Sequence, residues 1–126
     1  MSNPGLTKSY TAGGTINPYR IVKFGSADGE VVQAAAAADL SIGVAVFPGS
    51  AASAGERIDV AHDGIVDVEY GGTVTRGQKL TSDASGRAIA AVPSAGANAQ
   101  IIGYAVVSAV SGDIADMMIS PSVMQG

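Results

Sequence analysis

From Tyr19 onward the chain reads as short apolar runs broken by glycine-rich turns about every ten residues, the rhythm of an all-β domain. Two runs alternate cleanly. Arg57-Ile58-Asp59-Val60 and Val66-Asp67-Val68-Glu69-Tyr70 place valine, isoleucine and tyrosine on one face and charged groups on the other. A strand with one buried face shows this period of two. Further strands are predicted at Arg20–Phe24, Glu30–Ala34, Ser41–Phe47, Arg87–Ala91, Gln100–Val107 and Ile114–Ile119. The alanine run Ala34–Ala38 is too short to hold a helix in water without packing, and reads as a strand end followed by a loop, with room for one helical turn.

The pattern divides the chain unevenly. Residues 1–18 are rich in Ser, Thr, Gly, Asn and Pro, with apolar groups only at spaced places, and read as an extended N-terminal arm. Residues 19–126 read as a single β domain. Within it the turn Ser26-Ala27-Asp28-Gly29 recurs as Asp83-Ala84-Ser85-Gly86, and Ile42-Gly43-Val44-Ala45-Val46 recurs as Ile102-Gly103-Tyr104-Ala105-Val106. Gly55-Glu56 recurs as Gly112-Asp113. The common order of these echoes suggests two similar units, over about 20–60 and 77–119, packed into one barrel or sandwich. The glycine inside each Ile-Gly-x-Ala-Val strand predicts a bulge or a close backbone approach.

Composition adds three constraints. The 126 residues are the size of one domain, 47% of them apolar and 14% charged, so a core can form. That core is short of bulk, with aromatics at 5% and no Trp. Small side chains bury little area each, which favours help from assembly. The formal charge of −4, with no basic cluster, argues against nucleic acid and anionic membrane as partners. Ala88–Gly112 is uncharged but interrupted by Pro, Gly, Asn, Gln and Ser, so it does not read as a membrane span. No secretory signal shows at the start, and a cytoplasmic product is expected.

Candidate chemistry is thin. With no Cys and a single His, thiolate and two-histidine metal sites within one chain are excluded. His62, beside the Asp63-Gly64 turn signal, reads as a solvent-facing turn residue, with a pH-sensitive or subunit-bridging contact as its functional alternative. Asp67 and Glu69 share a strand face and could mimic a carboxylate pair or a weak Ca²⁺ site, though the wet face of an amphipathic strand explains them better. Ser50 and Ser53 lie in a Gly/Ala loop without a triad partner. Asp28, Asp83, Asp113 and Asp116 suit turns. No catalytic, metal or cofactor-binding residue is assigned, and a non-enzymatic β module is expected.

The ordered series Ala12-Gly13-Gly14-Thr15-Ile16, Arg20–Phe24, Ile42–Ala45, Gly55–Val60, Val68–Thr81, Gly86-Arg87-Ala88, Ile101-Ile102-Gly103 and Gly112-Asp113-Ile114 resembles the capsid decoration, or cement, proteins of tailed phages and prophages. The resemblance runs from about Thr11 onward. It implies a β-tulip-like or barrel fold, and homotrimers on the outer face of an icosahedral head, although some cement families act as dimers at two-fold positions. It also implies the major capsid protein as partner, an arm reaching neighbouring subunits, a virion location and no cofactor.

Leu6, Tyr10, Ile16 and Tyr19 are then the expected anchors of the arm, suited to strand addition on another chain's sheet. Removing residues 1–15 is expected to leave a folded barrel that no longer protects heads. A second reading is a virion or tail β domain that binds a host glycan, which the scarcity of aromatics disfavours. A third, a small hydrolase using Asp67, Glu69 or His62, has least support.

Overall fold

The structure is a computed structural model and describes residues 3–47 and 51–126. Ser50 lies outside the described residues. Among those described there is no helix; the chain forms eleven strands in two layers. The first layer is a closed barrel of β2 (Thr7–Ala12), β3 (Ile21–Phe24), β4 (Glu30–Gln33), β5 (Ser41–Phe47) and β6 (Arg57–Ala61), in the order β2-β4-β3-β5-β6. The second is a six-stranded sheet of β1 (Asn3–Pro4), β7 (Gly64–Glu69), β8 (Lys79–Ser82), β9 (Ala88–Ala90), β10 (Asn98–Ala105) and β11 (Ile114–Gln125), in the order β1-β7-β11-β10-β8-β9. The alanine run is a turn, closed by the Ala35 N–H donating to Asp39 Oδ2 at 2.8 Å.

The two layers share one register. Ser9↔Asp59 and Tyr10↔Ile58 of β2–β6 correspond to Asp67↔Asp116 and Val68↔Ala115 of β7–β11. Val22↔Gln33 corresponds to Leu80↔Ala90, Val22↔Gly43 to Leu80↔Gly103, and Ala45↔Val60 to Ala105↔Met117. Even the bridges outside the strands recur, Ile16↔Ala52 as Val74↔Ala109. The repeat therefore begins earlier than residues 20 and 77: the first unit starts at Thr7, the second at Ile65.

Residues 7–16, expected outside the core, are part of it. β2 pairs antiparallel with β6 and parallel with β4, closing the barrel. Tyr10, Ala12 and Ile16 join Val22, Val31, Ala45, Ile58 and Val60 in the barrel core. Each fully buried Val or Ile contributes roughly 1.5–3 kcal/mol. The segment looked like an arm because β2 projects exposed Thr7, Lys8 and Ser9 before its buried half begins.

A second cluster joins the units. The outer face of the barrel, through Ile21, Val44 and Ala61, packs against the inner face of the second sheet, through Val66, Val68, Leu80, Ile102 and Met117. The second unit keeps part of the closure of the first, since the parallel bridge Tyr70↔Ala88 repeats Ala12↔Val31, but the bond that precedes it is replaced. In the barrel the Thr11 N–H donates to the Gly29 carbonyl at 2.9 Å and seals β2 to the β3–β4 turn. At the matching place in the second unit, Glu69 N–H donates instead to Tyr19 O, and Gly86 O accepts from Ile21 N–H, each at 2.8 Å. Tyr19–Ile21 is thus wedged between β7 and the β8–β9 turn. Tyr19 has φ 63°, the left-handed conformation that its counterpart Gly77 adopts at 94° without a Cβ penalty.

Candidate functional site

The residues singled out for chemistry do not converge. His62 is half-buried rather than solvent-facing; its Nε2 lies 2.7 Å from the Tyr10 hydroxyl, with the rings tilted at 55°. Tyr10 sits on the buried half of β2, so its hydroxyl needs a partner at the barrel surface and His62 supplies it. Glu69 belongs to an ionic seam between the units. The Arg20 guanidinium donates to Glu69 Oε1 at 3.2 Å and to Ser85 O at 2.7 Å, while Arg87 lies 3.9 Å from Glu69 Oε2.

Asp67 faces Asp116 across β7–β11. Asp83 accepts the backbone N–H groups of Ser85 and Arg87, and Asp113 accepts that of Val110, so both serve as turn residues. Asp28 lies in the exposed β3–β4 turn, and Ser53 donates its backbone N–H to Glu56. Among the described residues no three His, Cys, Asp or Glu gather into a metal-binding group. No helix among them is long and apolar enough to cross a membrane.

The four expected anchors part company. Leu6 is exposed at 61%, Tyr10 is buried at 6%, Ile16 is fully buried, and Tyr19 is half-buried in the wedge. Strand addition by Tyr10 and Ile16 to another chain is excluded while the barrel is closed, because their backbone pairs are made within it.

Tyr70, which alternation correctly places inside, is fully buried and donates its hydroxyl to the Asp116 carbonyl at 2.8 Å. Burial pushes this phenol up from 10 to about 12, and the nearby Asp116 carboxylate pushes the same way. The native state favours the protonated form, so this stabilisation is complete below pH 10 and is lost as pH rises towards 12. By urea unfolding, the protein should exceed Tyr70→Phe by about 1 kcal/mol at neutral pH, the worth of one hydrogen bond. That advantage should shrink and then invert over the alkaline window. A difference that stays constant there would refute the burial argument.

A shallow groove of about 460 Å³ lies over the second sheet, lined by Ala37, Ala38, Ile89, Ala90, Val92 and Pro93, with no ionisable group on its walls. Larger side chains stand exposed elsewhere: Phe24 at the end of β3, Leu40 before β5, Tyr104 on β10 and Val123 on β11. Sequence reasoning missed Tyr104 as a surface group. The register of β8, β10, β11 and β7 shows it in a continuous outer row of Lys79, Tyr104, Met118 and Ile65.

Two interlocked β units that bring no set of ionisable groups together among the described residues define an all-β barrel-and-sheet module. Residues 2–118 match the family of phage cement proteins, and the chain belongs to it. No curated protein sequence matches. Among solved structures, the N base of head fiber gp8.5 of bacteriophage phi29 is similar, with a TM-score of 0.71 at 22% identity over 96% of this chain and 98% of that one. At that identity the similarity concerns the fold. The all-β barrel architecture and a phage structural role are thereby both established.

Proposed function

We propose that the protein decorates the outer surface of an icosahedral phage head, bridging major capsid subunits and stabilising the expanded shell without chemistry. The observation that carries this is the match to phage cement proteins across nearly the whole chain. The similar solved structure is itself the N base of a phage head fiber. An acidic chain also suits the outside of a shell packed with DNA, where the polyanion does not compete for it. Copies associate as homotrimers at symmetry positions of the shell, and any reach of the N-terminus to a neighbour falls to the residues before Thr7, with exposed Leu6 as its anchor.

Binding to the assembled shell but not to free subunits stabilises the shell by mass action, about 2.7 kcal/mol per site at a hundredfold excess over Kd. Heads lacking the protein, heated with increasing amounts of it, should release DNA at progressively higher temperature until the sites saturate. Heads that neither bind the protein nor gain heat resistance would overturn the proposal. Sedimentation of the free protein, and symmetry-resolved density on decorated heads, decide between the trimer and a dimer.

A further inference from the structure

Two Asp-Gly pairs stand in this chain, Asp28-Gly29 and Asp63-Gly64, and the fold treats them in opposite ways. Such a pair can rearrange by itself, because a glycine after the aspartate leaves the attacking backbone nitrogen unhindered by any Cβ. What decides the outcome is how firmly the carboxyl group and that nitrogen are held.

Asp63 is held. Its Oδ1 accepts the Leu6 N–H, and its carboxylate lies so close to Gly5 that a Cβ there would strike it. Gly64 is paired with Ile119 in the β7–β11 ladder. Asp28 is not held. Residues 26–29 are all exposed, and the bonds of this turn close around the pair rather than through it. Glu30 N–H donates to Ala27 O at 3.2 Å, Gly25 N–H to Glu30 O at 2.8 Å, and Ser26 N–H to Glu30 Oε1 at 2.9 Å. Among the described residues, neither the Asp28 carboxylate nor the Gly29 N–H has a hydrogen-bond partner. Gly29 has φ 75° and open space where a Cβ would stand, which leaves room for a ring on this peptide. The second unit repeats the turn as Asp83-Ala84-Ser85-Gly86, with Ser85 in the place of Asp28, so the reaction is not open to it.

We propose that Asp28 is a site of spontaneous isomerisation, and that the change undoes the seal of the barrel. The Gly29 nitrogen attacks Asp28 Cγ. The N–Cγ bond forms, the Cγ–O bond of the protonated carboxyl breaks, and the amide proton leaves with the hydroxyl as water, giving a cyclic imide. Water then opens the ring at either carbonyl. Cleavage between Cγ and nitrogen restores aspartate; cleavage between the Asp28 carbonyl carbon and nitrogen leaves the chain running through the side chain, one methylene longer, with a free α-carboxylate. No oxidant, reductant or enzyme takes part.

The Gly29 carbonyl beside this linkage accepts the Thr11 N–H at 2.9 Å, the bond that seals β2 to the turn. An added methylene between Ala27 and Glu30 breaks the closure of the turn and displaces that carbonyl. The damage falls on the strand that closes the barrel. None of this depends on the decoration reading.

The test keeps the full chain warm at neutral pH for several weeks and locates isoaspartate, before and after, by peptide mapping with isoaspartyl methyltransferase labelling. Isoaspartate should accumulate at residue 28 several-fold faster than at residue 63. Most of the label should be lost in Asp28→Glu, whose longer side chain closes a larger ring more slowly. Leu6→Pro, which removes the N–H that holds Asp63, should raise isoaspartate at residue 63. In the isomerised fraction the Thr11 amide should exchange with solvent deuterium several-fold faster, as for a locally opened strand end. Aged protein without isoaspartate at residue 28, or with as much at residue 63, overturns the site. Thr11 exchange that is the same in both fractions overturns its effect on the seal.

Discussion

Removal of residues 1–15 will abolish cooperative folding, whereas removal of residues 1–6 will leave a folded protein. The longer deletion takes the whole of β2, and with it both the antiparallel pairing to β6 and the parallel pairing to β4 that close the barrel. It also takes Tyr10 and Ala12 out of the barrel core and exposes Val31, Ile58 and Val60. Several core side chains at roughly 1.5–3 kcal/mol each exceed the net stability of a typical domain, about 5–15 kcal/mol.

The shorter deletion removes the two-residue β1 and the hydrogen bonds of Gly5 and Leu6 with Asp63 and His62. These are rim contacts, each worth about 1 kcal/mol. Thermal melting of the two truncations, followed by near-ultraviolet circular dichroism, decides it. A sharp transition in the protein lacking residues 1–15 would show that β2 is dispensable and restore the arm.

The second large effect is expected at Gly103. A Cβ there would stand 1.9 Å from the Met118 carbonyl oxygen, on the backbone of the paired strand, and 2.8 Å from Met117 Cε. Gly43 meets the same obstacle in the first unit, 2.2 Å from the Ala61 carbonyl oxygen. A flexible side chain could move aside, but a carbonyl held within the sheet cannot move without shifting the strand. Gly103→Ala should therefore cost roughly 3 kcal/mol or more, at the upper end for overpacking. Gly14, with open space around it and no positive φ, supplies the control: Gly14→Ala should lie within about 1 kcal/mol of the wild type. Urea denaturation measures both. A Gly103→Ala protein as stable as the Gly14 variant would refute the close-approach explanation of these strands.

Those glycines mark where the sequence was legible. An Ile-Gly-x-Ala-Val strand gives up side-chain packing at one position, and both instances do face a backbone, each on a strand with a register shift. Alternation located β6 and β7 because their outward positions are charged. It missed β8, where Thr81 and Ser82 are buried and satisfied through hydroxyls, Thr81 donating to Gln100 O at 2.8 Å and Ser82 to Asp83 O at 2.8 Å. It missed β2 because a strand at the rim of a barrel has one exposed half and so resembles a tail.

The start of the repeat was present in the row as Gly13-Gly14-Thr15-Ile16 against Gly71-Gly72-Thr73-Val74, a match that carries the unit boundary back to the first strand. The wedge left no such trace. Tyr19–Ile21 joins the second unit through backbone N–H and carbonyl groups, which every residue except proline offers alike. Among the carboxylates read as turn residues, Asp83 and Asp113 do close turns, whereas the seam of Glu69 with Arg20 and Arg87 joins residues far apart in the chain and left no local pattern. The outer row of Tyr104 could not be read, because facing outward depends on a register shared by four strands.

That wedge also sets how the molecule answers to force. In a string of self-contained repeats, a pull opens the weakest unit first and the others survive intact. Here the backbone bonds from Tyr19 and Ile21 are simultaneously the start of a barrel strand and the closure of the neighbouring sheet. A load applied across the units must break Glu69–Tyr19, Ile21–Gly86 and the Arg20–Glu69 contact together. Strain applied across the units is therefore shared by both halves of the molecule, and neither half serves as the weak link of the other.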